Sequence, residues 1–333
     1  MKKSNTLISV LENARTIHKD YPLCDSCLGR LFAKNLSLSS NRLLGQKLHG
    51  KLLVKKSKKC FICKDLIDNL DSIHEMILEK TKDFQFNSFL VGSILKPSII
   101  ERDDFLRSKF KLKGIDSVKT DVSRQLAKKL AKKTKAKIDH LKPELTITVN
   151  FKNNSIDLYS KSIILAGRYT KNSRNLPQKQ KSCSECKGKG CITCQYHGLS
   201  GYDSVEGKIS EFLYKKFVAN QVRLTWIGGE DKTSLVKGKG RPFFIQVINP
   251  QKRKPRLPKI IKLDSVNVMN LKKISTIPKK PIKFRSKIEL TVESKNDISS
   301  KLKKINDLKN SDIAIYEESK RIEKTIYEGK DSK

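Results

Sequence analysis

The chain has 333 residues, enough for two or three domains with a sizeable core. Its 71 Lys and Arg against 34 Asp and Glu leave a formal charge of +37, too one-sided for an ordinary metabolic enzyme and suited to a polyanion, with nucleic acid the first candidate. No apolar run reaches the ~18 residues of a membrane span, and Asn5, Glu12 and Asn13 interrupt the stretch where a signal peptide needs an apolar core. The expectation is a soluble, cytoplasmic protein without membrane association.

Leu7, Val10, Leu11, Ala14 and Ile17 form a helical stripe over residues 5–18, ended by Tyr21 and Pro22. Cys24 and Cys27 follow, then a helical-looking stretch from Leu28 to Leu53, then Cys60 and Cys63. All eight cysteines of the chain fall into Cys-x-x-Cys pairs. In a reducing compartment such pairing favours zinc over disulfides. A helical hairpin between the first two pairs brings four thiolates to one tetrahedral site, and Lys55, Lys56, Lys58 and Lys59 lower the cost of their charge. Two unrelated pairs, one of them redox-active, are the alternative.

Leu66, Ile67, Leu70, Ile73, Ile77 and Leu78 make a second stripe, and a strand from Phe89 to Leu95 stops before Pro97. A basic helix is expected over Val122–Lys137, with Leu126 and Leu130 on one side; each of its lysines is more simply a solvated one than a specific contact. Leu145, Ile147, Val149 and Phe151 alternate as a strand, and residues 156–166 read as its partner across Asn153 and Asn154. Together residues 84–166 predict an α+β layer, one sheet face under helices. Residues 170–182 read as a connector.

Cys183, Cys186, Cys191 and Cys194 form a compact second cluster. His197 could replace one thiolate, but four cysteines make that unnecessary, and a full set of four protein ligands leaves no position open for catalysis. A helix carrying Ile209, Phe212, Leu213 and Phe217 comes next, then a half-buried strand with Val222, Leu224 and Trp226. The stretch Ile227–Pro242 holds a Gly-Gly turn, the acid pair Glu230 and Asp231, and a Gly-Lys-Gly-Arg loop, before a strand with Phe243, Ile245 and Val247. The residues alone allow two readings: a solvated hairpin tip, or an acid on a basic platform suited to a base-modifying enzyme. A basic loop after Pro250, strands at 259–268 and 284–292, a helix near 296–308 and a frayed tail complete the expectation.

Four stretches, in this order, resemble one family, the archaeal and eukaryotic tRNA pseudouridine synthases with an N-terminal THUMP domain that act on the TΨC arm. Residues 21–33 look like its N-terminal zinc knuckle. Residues 89–93 with 165–169 and 176–178 are similar to its THUMP segment. Cys183–Gly198 with Ser204–Gly207 is similar to its linker, and Gly229–Asp231 with Gly238–Phe243 looks like its catalytic motif. The resemblance implies an isomerase converting uridine-54, uridine-55 or both to pseudouridine. It implies tRNA as partner with no obligate protein partner, two structural zinc ions, and no redox or nucleotide cofactor. The alternative is a non-catalytic tRNA-binding protein with a degenerate catalytic domain.

By the same resemblance Asp231 acts on the ribose, Arg241 and Lys239 hold phosphate near it and lower its pKa, and Phe284, beside Lys283, stacks on the base. Gly229 stands where the family commonly has Arg, and Phe284 where it has Tyr. The chain stops before a further stretch of catalytic domain, so a C-terminally shortened domain is expected. The implied organisation is an N-terminal zinc module (1–65), a THUMP domain (66–180), a zinc-knuckle linker (181–200) and a mixed α/β pseudouridine-synthase-like catalytic domain (201–333).

Overall fold

A computed structural model describes residues 2–36, 40–52, 59–112, 116–279, 287–289, 299–307, 312–317 and 320–326. The chain divides into two units, Met1–Lys279 and Lys280–Lys333. The first unit opens with three helices, α1 (Lys2–Asp20), α2 (Asp25–Leu36) and α3 (Asn41–Leu52). The helical stretch expected over 28–53 is thus α2 and α3, the hairpin expected between the first two cysteine pairs. Its helices cross very closely: a Cβ on Gly29 would lie 1.8 Å from the Asn41 carbonyl, and one on Gly45 1.8 Å from that of Asp25. Only a residue without a side chain allows that approach.

After α4 (Leu70–Thr81) the chain builds a four-stranded sheet in the order β2-β1-β3-β4. Strands β1 (Ser88–Ile94), β2 (Lys137–Ile138) and β3 (Leu145–Asn150) run parallel, and β4 (Ser155–Ser160) returns antiparallel. Helices α5 (Pro97–Lys109) and α6 (Val118–Thr134) connect β1 to β2. Helix α6 starts on a Ser117 cap that accepts from the Thr120 N–H and ends at a left-handed Lys135, short of the expected Lys137. Helix α5 was not expected. Its apolar stripe is broken by Asp103, which is buried all the same. One core, from Val10 through Cys27 and Cys63 to Ile156, runs through the three N-terminal helices and this sheet layer.

The run expected as one strand over 156–166 is divided between two sheets. Strand β5 (Ile163–Lys171) leaves the first sheet and becomes the middle strand of a five-stranded antiparallel one, ordered β6-β7-β5-β9-β8. The break is pinned from outside. The Ser160 N–H donates to Asn249 Oδ1 at 2.7 Å, and Arg253 Nη1 donates to Ser160 Oγ at 3.0 Å and the Lys161 carbonyl at 2.7 Å. Helix α7 (Val205–Phe217), capped by Ser204, packs on this sheet, whose other strands are β6 (Gln221–Trp226), β7 (Val236–Ile248), β8 (Ile260–Leu263) and β9 (Val266–Ile274). A second core, from Ile163 to Val268, lies between them.

The expected Gly-Lys-Gly-Arg loop is part of β7 instead. It bulges there: Tyr169 pairs with Arg241 and Lys171 with Val236, so residues 237–240 have no partners in β5. Gly240 has φ +69°, and a Cβ there would meet the Tyr169 carbonyl at 2.5 Å. The strand expected at 284–292 lies outside the described residues except for 287–289, which carry no regular structure. The second unit contains helix α8 (Ser299–Asn306), where a helix near 296–308 is expected, and an antiparallel hairpin of β10 (Asp312–Glu317) and β11 (Lys320–Ile326), where a frayed tail is expected.

Candidate active site and metal centres

The acid pair sits on the loop between β6 and β7, and its two members face opposite ways. The Glu230 side chain is 1% exposed and its Oε1 lies 3.2 Å from Nζ of Lys171, itself 0% exposed. The Asp231 side chain is exposed. Its Oδ1 accepts from the Thr233 N–H at 2.7 Å and the Thr233 hydroxyl at 2.5 Å. These bonds, the hydroxyl's first, hold the Asp231 carboxyl below its ordinary pKa, with Lys232 and Lys171 adding to the effect. An acid that is both exposed and held in its charged form can meet a ligand arriving from solvent.

Several carbonyls of the loop are held by side chains from outside it. Lys171 Nζ donates to the carbonyls of Leu176, Asp231 and Lys232 at 3.0, 3.2 and 3.2 Å. Arg174 Nη1 donates to the Thr233 carbonyl at 2.7 Å, and Gln178 Nε2 to the Gly228 carbonyl at 3.4 Å. Gln178 also donates to the Tyr169 hydroxyl at 2.9 Å. Burial raises the Tyr169 pKa, and the neighbouring Glu230 carboxylate raises it further. Trp226, the last residue of β6, meets Tyr169 edge-on with ring centres 5.3 Å apart and stacks on Phe243 at 5.7 Å.

Of the residues named from the sequence, Arg241 reaches the loop, its Nη2 lying 3.5 Å from the Ile227 carbonyl. Lys239 sits on the bulge with its side chain exposed, and its carbonyl accepts from Arg168 Nε at 2.7 Å. Lys283 and Phe284 lie outside the described residues. Lys171, Gln178 and Thr233 were not singled out for roles. The signal for Lys171 was available: on a strand it shares a face with Ile163, Leu165 and Tyr169, all buried. A lysine in that register is held in the core and needs partners there.

Two groups of four cysteines could each hold a metal ion, their sulfurs lying within 4.8 Å of one another. In the first, Cys24, Cys27, Cys60 and Cys63 meet where the α2–α3 hairpin returns the chain, with Cys24 and Cys63 sulfurs 3.7 Å apart. In the second, the Cys183–Cys191, Cys186–Cys194 and Cys191–Cys194 sulfur distances are 3.9, 3.7 and 3.7 Å. Thiolates about 2.3 Å from a tetrahedral zinc stand about 3.8 Å apart, so both groups fit such an ion. Backbone N–H groups of Gly190, Cys191 and Gly198 point at the second group's sulfurs. The Cys194 thiol is pushed down to about 6, chiefly by the Cys191 N–H. His197 Nδ1 faces the Asn220 carbonyl at 2.8 Å and its ring stacks on Tyr214 at 3.7 Å, so it stands outside the ligand set. No helix among the described residues is long and apolar enough to cross a membrane.

Two family models match the chain: the archaeal Pus10 THUMP domain over residues 73–150 and the Pus10 C-terminal domain over residues 164–323. The second begins within β5, the strand that enters the five-stranded sheet. The chain is 50% identical over 323 residues to the tRNA pseudouridine synthase Pus10 of Nitrosopumilus maritimus, covering 96% of this chain and 84% of the relative. It is 37% identical over 316 residues to the protein of that name from Cenarchaeum symbiosum, covering 95% of this chain and 78% of the relative. With both domains matched in order and near-complete coverage by archaeal relatives, the chain belongs to the Pus10 family.

Proposed function

We propose that the chain is a tRNA pseudouridine synthase acting on uridine-54, uridine-55 or both, with Asp231 as its catalytic carboxylate. The observation that carries the reading is the opposed placement of the acid pair: Glu230 is consumed by a buried ion pair, while Asp231 is exposed and held ionised at the end of a sheet. The reaction cleaves the C1′–N1 bond of uridine, turns the uracil and joins C1′ to C5. The C5 proton leaves and N1 gains one, so no oxidant or reductant is consumed. An ionised carboxylate serves either as nucleophile at C1′ or as base at C2′.

Reaching the base requires taking it out of its stack, at a few kcal/mol. Phe284, in its Lys-Phe-Arg context with Lys283, is the proposed stacking partner, worth about 1–3 kcal/mol. Lys239, on the bulge, and Arg241, paired beside it, are the proposed phosphate contacts. The two four-cysteine groups hold structural zinc; their sulfur spacing and closed ligand sets support that assignment. The charge of +37 supports a tRNA partner, and the site of action is the cytoplasm. Mapping pseudouridine in unmodified tRNA exposed to the purified chain and to its Asp231→Asn variant tests the reading. Modification by the wild type alone supports it. Modification by both sinks the role of Asp231, and binding without modification by either sinks the enzyme.

A further inference from the structure

We infer that Lys171 is a positioning residue of this site: its ammonium fixes the main chain that carries Asp231. The inference rests on the assignment of Asp231 and adds to it a residue that never meets the substrate. Lys171 is fully buried on the central strand of the five-stranded sheet. Its partner Val236 lies across the β7 bulge, so the lysine emerges where the Asp231 loop closes back on the sheet. An ammonium has three donors, and here three carbonyls, of Leu176, Asp231 and Lys232, surround it within 3.2 Å while Glu230 supplies the counter-charge. Arg174 holds the next carbonyl, that of Thr233. Three successive carbonyls of the loop, 231 to 233, are therefore held by cations.

Fold stability alone does not need this arrangement. A buried ion pair is commonly replaced by apolar residues at no loss of stability. The carbonyls of Asp231 and Lys232 also belong to an exposed segment that water would satisfy. Holding them through a core lysine fixes the Asp231 Cα against the sheet, and Thr233 then fixes the carboxylate itself. Small displacements of a reacting group cost rate far more than affinity.

The discriminating variant is Lys171→Met combined with Glu230→Leu, which removes both buried charges together and leaves the loop carbonyls without their donors. Thermal unfolding near that of wild type is expected, with tRNA affinity and KM unchanged and kcat lower by about 10- to 100-fold. A readout independent of turnover is tryptic cleavage after Lys232, whose scissile carbonyl is one that Lys171 holds. Cleavage there is expected to be faster in the folded double variant, followed by mass spectrometry against unrelated lysine sites. Lys171→Arg keeps donors in the core and is expected to restore both protection of Lys232 and most of kcat. Wild-type kcat in a variant whose Lys232 has become labile overturns the inference, as does unaltered protection in the folded double variant. Should the double variant not fold, Lys171→Arg decides: lost kcat with Lys232 still protected overturns it, and matched retention of both supports it. Turnover by Asp231→Asn in the same assay marks the separate failure of the catalytic assignment.

Discussion

Arg30 is wholly buried and grips Asp103 through both terminal nitrogens, Nη1 to Oδ2 at 3.2 Å and Nη2 to Oδ1 at 2.5 Å. One residue lies on α2, between the first two cysteine pairs, and the other on α5 beside the first sheet. Arg30 also donates to the Asp116 carbonyl, and Asp103 accepts the Val118 N–H at the start of α6. The cysteine-bearing helices and the THUMP layer are thus joined by a two-pronged ionic contact within a common apolar core, in which Arg30 Nε alone is left without a hydrogen-bond partner. Removing one partner leaves the other charged and buried. Arg30→Met is therefore expected to destabilise the chain by about 3–5 kcal/mol, read as a lower urea midpoint, whereas Arg30→Met with Asp103→Leu recovers much of it.

The two four-cysteine groups, each able to hold a metal ion, should give up zinc in order. Cys27, Cys60 and Cys63 are buried in the first core, whereas three cysteines of the second group are only half-buried. Purified protein should carry two zinc equivalents. A chelator with a zinc-sensitive dye should remove one quickly, and the slow loss of the other should coincide with loss of helical circular dichroism. Cys191→Ser should abolish the fast phase alone; if it abolishes the slow phase, the assignment of phases is reversed.

The acids 230 and 231 should be separable by what their amides break. Glu230→Gln leaves Lys171 buried without its counter-charge and is expected to cost about 3 kcal/mol of stability in a denaturant titration. Asp231→Asn changes an exposed side chain, so melting and tRNA affinity should stay near wild type while pseudouridine formation disappears. An Asn variant that unfolds, or that binds tRNA poorly, would contradict the exposed placement of the carboxylate.

Thr233 sets the protonation of Asp231. A carboxyl whose folded pKa is depressed adds stability above its unfolded pKa, and that contribution is lost as pH falls through the folded value. Turnover that needs the ionised form has its acid limb at the same depressed value. Thr233→Val removes the hydroxyl donor and keeps the shape, so the Asp231 carboxyl titration followed by NMR, and the acid limb of kcat, should both move to higher pH. An unmoved titration would mean that the hydroxyl bond does not hold the charge.

Affinity for tRNA should fall linearly in log–log form with salt, by roughly 0.7–0.9 for each phosphate contacted. A flat response would remove the electrostatic account of the +37 charge.

The alternating runs at 145–151, 222–226 and 243–247 announced their strands because each has one face on a core, and the paired cysteines announced their clusters because metal ligation needs that spacing. Helix α5 was hidden because Asp103 occupies a core position, made tolerable by Arg30 from 73 residues away. The departure of β5 into the second sheet was hidden for a similar reason: the break after Ser160 is enforced by Asn249 and Arg253. The turn carrying Asp231 was legible between two alternating runs, but its anchoring was not. Lys171 lies 60 residues upstream of the carbonyl that it holds.

Trp226 is the only tryptophan in the chain, and it stands one residue before the loop that carries Asp231, against the rings of Tyr169 and Phe243. The protein therefore has a built-in optical gauge at this one place. Excitation at the red edge of indole absorption, where nucleic acid and tyrosine contribute little, sees no other part of the molecule. Its emission during mixing with RNA times events beside the carboxylate without any attached dye.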